Sequence, residues 1–86
     1  MTRSPIMHNL KCWPEYFRAI KDGRKTFEVR LNDRDFREGD ILCLEEYDPD
    51  KKEYTGRFET FEAGFILDKA PFVPEGYAVI SLIRLY

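Results

Sequence analysis

The hydrophobic positions of the chain follow two different periods, which together predict five strands and one helix. Period-two alternation or short apolar runs mark strands over residues 6–12, 25–31, 41–47, 54–67 and 77–86. A helical repeat follows the first strand, where Trp13, Phe17 and Ile20 form one apolar stripe. We expect this stripe to lie in the core. The last strand is apolar enough to be buried on both of its faces.

Proline and glycine positions agree with these boundaries. Pro14 suits the first turn of the helix, and Gly23 suits its C-terminal end. Asp48-Pro49-Asp50 is typical of a hairpin tip, and Gly56 and Gly64 permit bulges in the long fourth strand. The pattern predicts an α+β, mostly β fold: a small, partly closed barrel with one main helix after the first strand. Residues 1–86 form a single domain whose core begins at about residue 6.

The strand over residues 25–31 carries, on one face, the charged side chains that are the main candidates for ligand binding. Strict alternation places Phe27, Val29 and Leu31 on the buried face, and Glu28 and Arg30 with Thr26 and Asn32 on the other. The simplest interpretation is an exposed Glu28–Arg30 ion pair, worth under about 1 kcal/mol. The alternative is a ligand-facing wall. Lys25 falls on the apolar side by alternation, and only a rotation in the preceding turn brings it to the polar face.

Composition narrows the class of protein. Among 86 residues, 43% hydrophobic content is enough for one core, and no apolar run approaches the roughly 20 residues that span a bilayer. The N-terminal residues lack the apolar stretch of a signal peptide, so we expect a cytoplasmic protein without membrane contact. Cys12 and Cys43 are then reduced. One histidine and two separated cysteines give no zinc spacing, and we predict neither metal nor cofactor.

The charges are unevenly distributed along the chain, although the formal net charge is only −2. Residues 17–37 carry seven basic and four acidic side chains, a net of +3, whereas residues 38–68 carry three basic and ten acidic ones, a net of −7. We expect the third strand to emerge into solvent at Glu45 and Glu46. A locally basic edge is compatible with nucleic acid, and the acidic 45–62 face with a protein-interaction module; ordinary charge mixing explains both equally well.

Other candidate residues each have a structural alternative. His8 shares a strand face with Leu10, which favours a buried, hydrogen-bonded role over a catalytic one. Trp13 and Tyr16 are expected in or beside the core, and base stacking is their functional alternative. Glycine-rich phosphate loops and a Ser-His-Asp arrangement are absent from the sequence.

A family resemblance rests on the strand and its flanks. Gly23-x-Lys25-x-x-Glu28-x-Arg30, after a short helix and before a Gly39-Asp40 turn into an apolar strand, resembles the signature of ASCH domains. These are the activating-signal-cointegrator homology members of the PUA-like superfamily. The wider run from His8 to about Ile83 is similar to a compact family of uncharacterised bacterial and phage proteins of that type. It includes Pro14-Glu15-Tyr16-Phe17, Lys25-Thr26-Phe27-Glu28-Val29-Arg30, Asn32-Asp33-Arg34-Asp35-Phe36 and Asp48-Pro49.

The resemblance implies a pseudo-barrel of five or six strands, with a cleft beside the helix that binds RNA or a nucleotide. By position, Lys25, Glu28 and Arg30 would line this cleft, with His8, Asn32 and Arg34 at its rim. Some relatives are amidohydrolases that deacylate N4-acetylcytidine with a lysine, a threonine and a glutamate. Lys25 matches that lysine, while Glu28 stands at the threonine position. We therefore expect an RNA- or nucleotide-binding domain of unknown oligomeric state, with an amidohydrolase using Lys25 and Glu28 as the alternative.

Overall fold

A computed structural model describes residues 3–85 of the chain. Its elements follow the predicted order: β1 Met7–Cys12, α1 Pro14–Lys21, β2 Phe27–Leu31, β3 Ile41–Asp48, β4 Glu53–Leu67 and β5 Tyr77–Arg84. The mostly-β fold with one helix after the first strand is confirmed. Residues 1, 2 and 86, which the sequence analysis included in the domain and in its last strand, lie outside the described residues.

All five strands belong to one sheet, in the order β1-β3-β4-β5-β2. The β1–β3 pair is parallel, and the β3–β4, β4–β5 and β5–β2 pairs are antiparallel. The sheet curls into a half-barrel, so the first two strands of the chain become its two edges. A parallel β1–β3 pair requires a crossover, and α1 and β2 lie within that connection.

The core fills the inner face of the curled sheet. Phe17 and Ile20 of α1 pack against it, as predicted, and Phe36 closes it from the loop before β3. The other members of the core cluster come from the strands: Leu10, Cys12, Leu42, Leu44, Phe61, Ala63, Ala78 and Ile80. Burial of this cluster is the main stabilising contribution to the fold.

Both glycines that were expected to bend β4 do so. The β3–β4 register shifts between Glu45 and Tyr47, opposite the segment that contains Gly56 at φ +94°. The β4–β5 register shifts between Ala63 and Ile66, around Gly64. A Cβ atom on Gly64 would lie 3.0 Å from Cδ1 of Ile83, so this strand crossing accommodates only glycine without a local shift.

The burial predicted for β2 is reversed. Phe27, Val29 and Leu31 are about half exposed on the outer side of the sheet, whereas Glu28 is buried on the inner side and Arg30 partly so. Because β2 is an edge strand paired only with β5, its inner side meets the open end of the half-barrel rather than the apolar core. A side-chain period of two then carries the three apolar residues outward.

Three further expectations were wrong. Trp13 is 51% exposed, because it precedes the helix as its N-cap residue rather than lying on the buried stripe. Glu46 is buried, and it accepts hydrogen bonds from Thr55 Oγ1 at 2.7 Å and Arg57 Nε at 2.8 Å. Strand β5 is buried on its inner face alone, since nothing in the described part of the chain covers its outer face.

Within residues 3–85, Cys12 and Cys43 are free thiols. The same residues contain no cluster of three His, Cys, Asp or Glu side chains that would hold a metal ion. No helix in the described range is long and apolar enough to cross a membrane.

Candidate functional site

A cleft opens between the two edge strands of the half-barrel, beside the start of α1. It has a volume of about 560 Å³, within the roughly 300–1,000 Å³ of small-molecule sites. Its lining comes from the end of β1, from α1 and its N-cap residue, from the turn before β2, from β2 and from the first residue of β5: Lys11, Cys12, Trp13, Tyr16, Lys25, Glu28, Val29, Arg30, Leu31 and Tyr77. The cleft therefore occupies the place where the sheet does not close.

A buried carboxylate bridges two cations in this cleft. Glu28 is 5% exposed, and its Oε1 accepts a hydrogen bond from Lys25 Nζ at 2.8 Å. Its Oε2 accepts from Arg30 Nε at 2.7 Å. The turn after Gly23 brings Lys25 to this side, where its ammonium also donates to the carbonyl of Phe27 at 2.7 Å. The three residues predicted for the cleft are thus brought together, as an ion triad with a net charge of +1.

Two arginines bridge the opening between the edge strands. Arg30 donates through Nη2 to the carbonyl of Lys11, and Arg34 donates through Nη1 to the carbonyl of Asn9 at 2.9 Å. Both carbonyls belong to β1, which pairs on its other side with β3. Side chains therefore satisfy backbone groups that a further strand would satisfy in a closed barrel. Arg30, on one edge strand, therefore contacts both the other edge strand and the buried carboxylate of Glu28.

Aromatic side chains form the exposed walls of the cleft. Trp13 and Tyr16, from the N-terminal end of α1, are about half exposed, and Tyr77 of β5 is 41% exposed. Glu15 in the first turn faces the positive end of the helix dipole, and Pro14 fixes the start of the helix. These features hold Trp13 and Tyr16 in position. Flat apolar walls beside a charged triad suit a planar polar ligand.

The thiol of Cys12, which lies in the cleft, is unreactive. Burial, together with the nearby carboxylate of Glu28, raises the pKa of Cys12 to about 11, against the lowering effect of Lys25 and Arg30. A thiol with this pKa stays protonated at neutral pH, and the thiolate is the nucleophilic form. Cys12 therefore contributes surface to the cleft rather than a nucleophile.

His8 lies in a separate buried cluster and not at the rim of the cleft. Its Nε2 donates to Oδ2 of Asp40 at 2.8 Å, and its ring meets Phe36 edge-on with centroids 4.7 Å apart. Arg3 also donates to Asp40, at 2.9 and 3.0 Å. The structure does not bring His8 to the rim, the place that the resemblance implied, because its side chain is buried on the same strand face as Leu10. The buried, hydrogen-bonded role that the strand pattern favoured is confirmed.

Asp40 is the electrostatic centre of that second cluster. Burial acts to raise the pKa of its carboxyl, but hydrogen bonds from Arg3, His8 and the backbone N–H groups of Ile6 and Arg37 outweigh burial and hold the pKa well below its usual range. The carboxylate ties the N-terminal segment, β1 and the loop before β3 together. The sequence indicates only a turn at Gly39-Asp40, because three partners of the Asp40 carboxylate, Arg3, Ile6 and His8, are more than 30 residues away from it.

Asn32 and Arg34 shape the loop after β2 and do not line the cleft. The side-chain oxygen of Asn32 accepts from the N–H of Phe36 at 3.0 Å, which closes the turn. Arg34 is exposed and reaches β1 as described above. Both residues are near the cleft in the chain, but their side chains support its walls rather than face its interior.

Sequence reasoning missed the contributions of Lys11, Tyr77 and Leu31 to the cleft. Their place depends on which strands form the edges of the sheet, and no local pattern encodes strand order. The sequence does indicate Trp13 and Tyr16, as aromatic residues that could stack on a base. Lys11 contributes its backbone carbonyl, while its ammonium lies 4.3 Å from the ring centroid of Tyr47.

Comparison with known protein families identifies a family model that covers most of the chain. The model of the family described as a domain of unknown function, DUF3850, matches residues 7–82, which is 76 of the 86 residues. The matched range contains every residue that lines the cleft. No curated protein matches the chain.

Proposed function

The chain belongs to the DUF3850 family, whose description assigns no activity, and we propose from its cleft that it binds RNA or a nucleotide by a single base and its phosphate. The proposal includes the ASCH/PUA-like relationship, which stays a prediction. One observation carries it: a buried carboxylate, flanked by a lysine and an arginine, lies inside a cleft walled by exposed aromatic side chains.

The ion triad has unused hydrogen-bonding capacity. Each oxygen of Glu28 accepts one hydrogen bond within the described residues, and a carboxylate oxygen has two lone pairs. Arg30 uses two of its five N–H donors, and Lys25 two of its three. The cleft therefore offers acceptors and donors side by side. The amino and carbonyl groups on the edge of a nucleobase present the complementary set.

The charge of the triad also fits a phosphate. Lys25 and Arg30 carry two positive charges against the single negative charge of Glu28, and both cations remain partly exposed. When Arg30 turns from the neutral carbonyl to a phosphate, it gains an acceptor that is itself charged, and pairs of an arginine with a phosphate are among the strong hydrogen bonds of proteins. Glu28 keeps the guanidinium oriented through Nε during this exchange.

The aromatic walls favour unpaired bases. Trp13 and Tyr16 present ring surface to the cleft, and stacking of a base on an aromatic side chain contributes about 1–3 kcal/mol. A base within a duplex has both faces covered by its neighbours. We therefore expect single-stranded RNA or a free nucleotide to bind, and duplex RNA to bind weakly or not at all.

Matched charge variants test the proposal. Arg30→Ala should weaken binding of a short, labelled single-stranded RNA at low salt by about tenfold or more, since an arginine contact to a base or phosphate contributes about 1–3 kcal/mol. Arg37→Ala removes the same charge from an exposed pair with Asp35, outside the cleft, and should change the affinity less than about threefold. Fluorescence anisotropy measures both dissociation constants.

Two further variants separate site recognition from bulk charge attraction. Arg30→Lys keeps the charge but not the fork that joins Glu28 to Lys11, and should also bind weakly. Glu28→Gln should alter the preference among bases. Equal affinities for the wild type, Arg30→Ala and Arg30→Lys would overturn the proposal. Release of acetate from N4-acetylcytidine, abolished by Lys25→Ala, would replace the binding role by a hydrolytic one.

A further inference from the structure

The outer face of the sheet carries an uncovered apolar surface on β2, β5 and the end of β4. We call it the outer apolar face. Its members are Phe27, Val29, Leu31, Leu67, Tyr77, Val79 and Ile83, of which Val29, Leu31 and Tyr77 also line the cleft, where the two surfaces meet. All except Val79 are 37–52% exposed, and Val79 is half-buried among them.

Strand register makes this surface continuous. Val79 pairs with Val29 on one side and with Leu67 on the other, so three strands contribute one apolar row through its centre. Leu31 pairs with Tyr77 in the neighbouring row. Directly opposed side chains on one face lie about 4.5–5.5 Å apart at Cβ, close enough to touch. The residues therefore form one patch rather than scattered exposed side chains.

The outer apolar face is unusual in having almost no polar groups. Outward positions of β2 and β5 within residues 27–31 and 77–83 carry no charge, and their polar groups are the hydroxyls of Tyr77 and Ser81. Glu62 marks the border, paired with Ile83. An antiparallel sheet that meets water on one side is normally polar there. On β5, alternation gives two largely apolar faces, and α1 and the core cover the inner one.

We propose that a second copy of this chain covers the outer apolar face, sheet against sheet, in a two-fold symmetric dimer. Together with Phe65 in the adjoining bulge, the face exposes about 600 Å² per copy, or about 1,200 Å² in a dimer, the lower bound for stable specific interfaces. Two such sheets pack about 10 Å apart with interdigitated side chains.

Charge favours a second copy over a different partner. In a two-fold interface each patch meets itself, so a charged patch would bring like charges together. The outer apolar face avoids this repulsion because it is uncharged inside its Glu62 border. The acidic side chains of the β3–β4 hairpin, such as Asp48 and Asp50, lie at the other end of the sheet. A charged partner would find no complementary group on this patch.

Sedimentation equilibrium of the wild-type chain and of two lysine variants tests the proposal. The wild type should sediment at twice the 10.3 kDa of one chain at high micromolar concentration, and its melting temperature should rise with concentration. Val79→Lys places a charge at the centre of the patch and should weaken dimerisation at least tenfold. Circular dichroism establishes that the variant is folded, and Phe65→Lys, at the exposed bulge, replaces it if it is not.

Phe58→Lys is the matched control. Phe58 is an equally exposed phenylalanine on β4, but it pairs with Glu45 on the β3 side of the sheet. This variant should dimerise as the wild type does. A wild-type chain that stays monomeric up to about 1 mM, with a melting temperature independent of concentration, would overturn the proposal. A dimer that Phe58→Lys dissociates while Val79→Lys and Phe65→Lys leave it intact would do so as well.

Discussion

Two of the three buried carboxylates in the described residues, those of Glu28 and Asp40, each hold several polar partners, and neither acts as a simple surface charge. Glu28 joins the cations of the cleft, and Asp40 joins the N-terminal segment to β1 and the loop before β3. In the described residues, no buried side-chain nitrogen or oxygen lacks a partner. The sequence identified Glu28 as chemically interesting. It left the role of Asp40 unseen, because the partners Arg3 and His8 are more than 30 residues away.

At the residue scale, Asp40 predicts an acid-sensitive contribution to stability. Its pKa is lower in the folded chain than in the unfolded one, so it stabilises the fold above the unfolded pKa of about 4 and loses this effect as the pH falls toward the folded pKa. Asp40→Asn should therefore lower the free energy of unfolding by about 2–4 kcal/mol at pH 7.

The difference between the wild type and Asp40→Asn should shrink progressively below about pH 4, where the wild-type carboxyl begins to lose its charge-dependent advantage. Urea unfolding at pH 7, 4 and 2.5 measures it. Asp35→Asn is the control, because Asp35 is exposed and asparagine tolerates its φ of +52°. A difference for Asp40→Asn that stays constant over this range would contradict the ionic account of the cluster.

At the element scale, the sequence predicted every strand and the helix to within about two residues, and both bulges of β4. It assigned the wrong face of β2 to the core. Alternation separates the two faces of a strand but does not identify which face is buried. In β2 one face carries Phe27, Val29 and Leu31, and the other carries charged side chains whose hydrogen bonds are made within the triad. That choice depends on β2 lying at an edge, which follows from tertiary strand order.

The bulge at Gly64 provides a prediction about packing between strands. Gly64→Val would place its Cβ 3.0 Å from Cδ1 and 3.2 Å from Cγ1 of Ile83, and 3.2 Å from the Cβ of Ser81. We expect a loss of about 2 kcal/mol in the free energy of unfolding from this overpacking.

The same substitution should cost markedly less in an Ile83→Ala background, where the two closest atoms are absent. A double-mutant cycle by urea unfolding, at one protein concentration, measures the coupling. If the effects of Gly64→Val and Ile83→Ala on the free energy of unfolding are additive, contact with Ile83 is not what makes a larger side chain at position 64 destabilising.

At the scale of the whole molecule, the site exists because the barrel is incomplete. The edges formed by β1 and β2 leave a gap, Arg30 and Arg34 span it, and the start of α1 supplies aromatic walls. Residues 25–30 were placed at a cleft through family resemblance, and the structure assembles Lys25, Glu28 and Arg30 there. The remaining walls come from distant parts of the chain. Their convergence follows from sheet curvature, which local sequence patterns do not specify.

The most direct test of the central claim is an amide-resolved NMR titration at low salt, where phosphate contacts are strongest. Short single-stranded RNA is added first, and N4-acetylcytidine is added to a separate sample. We predict that RNA shifts cluster at the cleft, on Lys11, Trp13, Tyr16 and residues 25–31, while the signals around His8 and Asp40 stay unchanged. Shifts spread evenly over basic surface residues, or no shifts with either ligand, would contradict the assignment of this cleft as a nucleotide-binding site.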